Sequence, residues 1–160
     1  MTKEEFKKQL KKYFAQEGFI NRSSHFYKEI SDEIGIALGI QYSSRPDYCY
    51  LEYGMYFKSI NKYLPYPKFY QLNINCSRIM TCIGTDIRYD NVDEIVMDDI
   101  KRVISEKMND LINIINLGNE GIINYFLHEW HDKSWYILGE ETAAYFGLPK
   151  EAFTYHFAEE

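Results

Sequence analysis

The chain has 160 residues, enough to close one core without a disulfide or metal staple. A net charge of −6 with a pI near 5.3 argues against a nucleic-acid partner, because phosphate binding needs clustered Lys and Arg. A hydrophobic fraction of 46% with no long apolar run argues against both disorder and a membrane span.

The first element is a predicted helix from Lys3 to Glu17. Thr2 with Glu5 three residues on forms a capping box, and Phe6, Leu10, Tyr13 and Phe14 share one stripe. Gly18 occupies the C′ position, where a left-handed residue ends helices. A hairpin should follow, with Phe19–Asn21 and Phe26–Ile30 flanking the polar turn Arg22–His25. Ile34, Ile36, Leu38, Ile40 and Tyr42 alternate with Gly35, Ala37, Gly39, Gln41 and Ser43, a strict period of two that predicts a strand. After a turn at Ser43–Asp47, Tyr48–Lys58 alternates again. Cys49, Leu51, Tyr53, Met55 and Phe57 form one face, and Tyr48, Tyr50, Glu52, Gly54 and Tyr56 the other.

Asn61–Lys68 carries Pro65 and Pro67 and reads as a loop. Phe69–Ile83 is expected to be one bent strand or two short ones, with Tyr70, Leu72, Ile74 and Cys76 on one side. From Asp90 the period lengthens: Met97, Ile100, Ile104, Met108, Leu111 and Ile115 recur at helical spacing. Asp90, Asp93 and Glu94 sit at that helix's expected positive end, and Gly118 and Gly121 end or break it. Further helices are expected over Ile122–His131 and Glu140–Phe146. There is no repeat or linker, so one domain over 1–160 is expected. The order defines an α+β fold, an antiparallel meander of four to five strands with an N-terminal helix and C-terminal helices packed on one face.

Five segments also carry a resemblance: Phe6-x3-Leu10 leading to Gly18-Phe19, then Phe26-Tyr27-Lys28, Ile40-Gln41-Tyr42-Ser43-Ser44 and Tyr53-Gly54-Met55-Tyr56-Phe57. Together they resemble the bacterial domain-of-unknown-function family numbered forty-three-zero-four. Glu52 stands where that family's strand motif usually has Asn, and Arg78-Ile79 and the late helices agree loosely. The resemblance implies the same α+β fold and supplies no substrate, cofactor or catalytic residue.

The chemistry-bearing residues form no standard constellation. His128-Glu129-Trp130-His131-Asp132 places two His three apart, whereas the zincin helix needs them four apart. Asp86, Asp90, Asp93, Asp98 and Asp99 lack the loop pattern of a calcium site and read as capping and solvated charge. Neither a nucleophile elbow nor a phosphate loop is present, so no metal, cofactor or catalytic residue is expected. Cys49, Cys76 and Cys82 form no CxxC pair, and Cys76 and Cys82 could share a strand face. The odd thiol count and the charged N-terminal residues, with no apolar signal region, suit a reducing cytoplasm.

With 15 Tyr and 10 Phe, the chain is rich in rings that suit half-buried sheets and interfaces alike. The second face of the sheet should present Gly35, Ala37, Gly39 and Gln41 beside Tyr48, Tyr50, Glu52, Gly54 and Tyr56, with Gln71, Asn73 and Asn75 on the next strand. Either that face is open, or a second helix packs on its Gly/Ala patch. If open, Gln41, Tyr48, Tyr50, Glu52, Tyr56, Asn73 and Asn75 are the candidate partner-binding residues, since small residues, tyrosines and amides favour close contact. The leading expectation is a non-catalytic protein-binding domain, an immunity protein that occludes a basic bacterial toxin, with Glu52 meeting a partner Arg or Lys. The alternative is a small-molecule binder or unrecognised enzyme using the same face as a pocket.

Overall fold

A computed structural model describes residues 1–129 and 139–152. The first helix, α1 (Lys3–Gln16), starts on the expected capping box: Glu5 N donates to Thr2 Oγ1 at 3.2 Å, and Thr2 N donates to the Glu5 carboxylate at 2.7 Å. Gly18, at φ +81°, ends it, and Phe19 N reaches back to Phe14 O at 2.9 Å. Phe6, Leu10 and Phe14 are buried, and Phe14 stacks on Phe26 with ring centres 4.2 Å apart.

Six antiparallel strands follow. β1 (Ile20–Arg22), β2 (His25–Glu29), β3 (Ile34–Tyr42), β4 (Tyr48–Phe57) and β5 (Ile74–Arg78) are neighbours in that order. β6 (Ile87–Arg88) pairs with the start of β4, opposite Tyr48 and Cys49. The first hairpin is tighter than its composition suggests, because only Ser23 and Ser24 turn the chain and Ser23 lies at φ +58°. β3 and β4 pair over nine residues, from Ile34↔Phe57 to Tyr42↔Cys49, which places both alternating patterns in phase.

The aliphatic sides of β3 and β4 meet α1 and the long helix α2 (Glu94–Asn116) in one core. Asp93 caps α2, accepting from Val96 N at 2.8 Å, and Met97, Ile100, Ile104, Met108, Leu111 and Ile115 are all buried beneath it. Gly118, at φ +79°, begins α3 (Gly118–Asn124), which continues as a π-helical turn over Tyr125–Glu129. Helix α4 (Gly139–Tyr145) packs at the end of β4, with the Tyr145 ring 4.9 Å from Phe57. The α+β meander with helices on one face is therefore the fold. No helix among the described residues is long and apolar enough to cross a membrane.

The segment after β4 departs from the expected strand. Only Ile74–Arg78 pairs in the sheet, while Phe69–Gln71 is a single 3-10 turn. Tyr70, Leu72, Ile74 and Cys76 do not share a side. Ile74 and Cys76 enter the helix-covered core, Leu72 joins a second cluster with Tyr27, Ala37 and Tyr56, and Tyr70 is exposed. The chain leaves the sheet after Phe57 and lies across the second face before returning as β5. Cys82 likewise lies beyond the end of β5, exposed in the Thr81–Gly84 turn, while Cys76 is buried.

Candidate functional site

The second sheet face is divided. Over the β2 side and the centre, the segment joining β4 to β5 covers it, with Tyr66 packing on Tyr27 at 5.2 Å between ring centres. Glycines make that cover fit. A methyl group on Gly39 would come within 2.8 Å of both His25 and Phe69 of the cover, while Gly35 leaves room for its cross-strand partner, the Tyr56 ring of β4, which a methyl group would approach to 2.3 Å. The cover over the Gly/Ala patch is thus a loop with a 3-10 turn rather than a helix.

This overturns part of the expected surface. Tyr56 is 3% exposed, and burial, with Glu29 and Tyr66 nearby, pushes its phenol up to about 12. Asn73 and Asn75 are buried as well, because their amides serve the fold. Asn73 Oδ1 accepts from Phe57 N at 2.9 Å and from Asn61 Nδ2 at 3.1 Å. Asn75 Nδ2 donates to Phe69 O at 2.8 Å, and its Oδ1 accepts from Ser77 N at 2.6 Å. Tyr56, Asn73 and Asn75 therefore cannot contact a partner.

Gln41, Tyr48, Tyr50 and Glu52 remain on the uncovered part, each partly accessible. Their neighbours are arginines that the alternation pattern does not show. Arg78 sits 3.7 Å over the Tyr50 ring, and Arg45 4.0 Å over Tyr48, which Arg88 also approaches at 5.8 Å. A β-bulge brings Arg78 there. Between Gly54↔Asn75 and Glu52↔Arg78 the β5 strand has one extra residue, and Ser77 takes φ +68°. Regular pairing would place Ser77 opposite Glu52, and the bulge replaces it with Arg78. Glu52 is consequently engaged within the chain, 3.6 Å from Arg78 Nε and accepting from Asn75 Nδ2 at 3.3 Å. Arg45 pairs with Asp86 at 3.0 Å and Arg88 with Asp90 at 2.7 Å. The result is a Tyr/Arg surface in which three cations and three carboxylates balance.

Of the residues overlooked in the sequence, Arg45 was the most accessible to reasoning, since it lies in the turn just before Tyr48. Arg88 depends on the short β6 pairing, and Arg78 on the bulge.

The other candidate clusters disperse. Among the described residues no three His, Cys, Asp or Glu side chains gather as a metal ion would require. Asp99 pairs with Arg102 at 2.7 Å, and this contact foremost, with Cys82 adding to it, holds its carboxyl below the usual range. Glu129 accepts from Asn124 Nδ2 at 2.7 Å, while Trp130, His131 and Asp132 lie outside the described residues. Burial pushes the Cys49 thiol up to about 11, away from the nucleophilic thiolate.

No protein-family model, curated protein or solved structure matches the chain.

Proposed function

We propose that this chain is a non-catalytic protein-binding domain that occludes its partner, acting as a cytoplasmic immunity protein against a basic bacterial toxin. One observation carries the reading: Tyr48 and Tyr50 are half-exposed on a rigid strand, each with an arginine lying over its ring. Tyr and Arg are the residue types that most often dominate binding energy at protein interfaces. Holding the rings against these arginines limits the side-chain entropy lost on docking. The local charges balance, so the contact itself would be aromatic and hydrogen-bonded. The net charge of −6 would act at longer range, steering a basic partner to the surface.

This reading expects a toxin domain to be encoded beside this chain's gene, and co-expression of this chain should restore growth to cells producing that domain. The Tyr48→Ala/Tyr50→Ala/Arg78→Ala variant should lose that protection and weaken binding about 100-fold, while keeping a native circular-dichroism spectrum. Protection undiminished in the triple variant would exclude this surface. A neighbouring product without toxicity would exclude the immunity role.

A further inference from the structure

A hollow of about 630 Å³ opens between the β1–β2 turn, the end of β3 and the covering segment, beside the Tyr/Arg surface. That volume lies within the usual range of small-molecule sites. Its chemistry differs from the rest of the chain. Arg22 and Lys68 line it, no acidic residue does among those described, and neither cation forms an ion pair with a described residue. The nearest carboxylate along the sheet row, Glu52 beside Gly39, is engaged by Arg78 and Asn75. Arg22 donates to Asn21 O at 3.0 Å and to the Tyr66 hydroxyl at 3.1 Å, so both cations keep their charge without a carboxylate beside it, and around an acid-free hollow that charge attracts an anion.

The walls add flat surfaces and unused hydrogen bonds. Arg22 lies 4.6 Å over the Tyr66 ring, and the Phe69 ring is stacked on the His25 imidazole at 5.6 Å and 10°. Two buried polar atoms of the lining, His25 Nε2 and Gln41 Oε1, have no partner among the described residues. A buried polar atom left without a hydrogen bond is costly, so a ligand group that pairs with it is favoured. His25 is 7% exposed, and burial first, with Lys68 second, lowers its pKa to about 4, so the ring presents a neutral imidazole at pH 7.

We infer that this hollow binds a small planar anion, an aromatic or heteroaromatic ring carrying a carboxylate or phosphate together with a hydrogen-bond donor. The anionic group would meet Arg22 and Lys68, the ring would lie among Tyr66 and Phe69, and the donor would satisfy Gln41 Oε1. The site adjoins the Tyr48/Tyr50 surface and shares Gln41 with it, but stands or falls independently of the immunity reading.

The test uses the full chain and two matched pairs of probes: para-hydroxybenzoate against para-hydroxybenzamide, and adenosine monophosphate against adenosine. His25 imidazole nitrogens are followed by long-range proton–nitrogen spectra, with His25→Gln assigning the signals. At least one anion should shift the Nε2 signal saturably and bind about ten-fold or more tightly than its neutral counterpart. Arg22→Ala and Lys68→Ala, both at exposed positions, should each weaken it about five-fold or more. A response confined to one pair identifies the anionic group as carboxylate or phosphate. Equal binding of charged and neutral probes, affinity unchanged in both variants, or no His25 response to any probe overturns the proposal.

Discussion

The two faces of the sheet are held by different physics. On the helix side, Ile36, Leu38, Leu51 and Met55 are fully buried beneath α1 and α2, and the contacts are aliphatic and non-directional. On the other side the cover is a loop tied down by the amides of Asn61, Asn73 and Asn75, and it lies so close that glycines replace side chains. The first face tolerates approximate shape and the second depends on particular atoms. Where the loop stops, at Tyr48 and Tyr50, this face keeps some ring surface in water. The comparison teaches that a patterned strand specifies which residues share a face, whereas the chain's own loops decide whether that face is available.

The sharpest way to break the contrast is Gly54→Val. A Cβ there would stand 2.0 Å from the Ile74 carbonyl oxygen, a backbone atom of β5 that cannot rotate aside, where the chain returns from the cover into the sheet. Loss of about 4 kcal/mol or more, read as failure to give a cooperative urea transition, is expected. Leu51→Ala on the opposite side removes buried methyl groups without a collision. It should cost about 3–4 kcal/mol while preserving two-state unfolding. If both variants lost the same amount, the two faces would not differ as described.

Asn73→Ala comes next, at about 2–3 kcal/mol, because it strands the Phe57 N–H in a dry environment. Hydrogen exchange should show the 58–73 segment opening while α2 stays protected. This residue also marks the boundary of what the sequence makes legible. The α1 capping box, the β3 and β4 alternation and the α2 stripe were readable because each is a local period or cap. The cover was not. Tyr70, Leu72, Ile74 and Cys76 have a strand's alternation, yet the chain uses Leu72 to seal the opposite side from Ile74. Tyr48, Tyr50 and Glu52 were legible as one face, but the partners over them arrive through a bulge at Ser77 and a two-residue strand, neither of which has a periodic signature.

His25 offers a pH test of the covered side. Its imidazole, facing Lys68, Ser24, Tyr27 and Phe69, titrates near 4 when folded and near the ordinary 6.5 when unfolded. Below 6.5 the unfolded chain binds the extra proton, so this contribution is complete above 6.5 and is lost as pH falls toward 4. A decline on the order of 1–2 kcal/mol across that window is expected from urea unfolding, and His25→Gln should flatten it. An unchanged slope in the variant would place the titration elsewhere.

The smallest stability effect belongs to the uncovered surface, and it is the one that separates binding from folding. Tyr50→Ala removes a half-exposed ring with its contact to Arg78, whose side chain is itself 39% exposed, and its hydroxyl's hydrogen bond with Arg45. Such exposed cation–π contacts contribute about 0.5–1 kcal/mol, and the freed arginine keeps Glu52 as a partner. Thermal and urea midpoints should therefore move little, with a change of at most about 1 kcal/mol. Tyr56→Ala, six residues further along β4 on the same face, empties a sealed site and should cost about 3 kcal/mol or more. Comparable losses in the two variants would mean that Tyr50 is built into the fold as firmly as Tyr56, leaving that ring no spare surface for a partner.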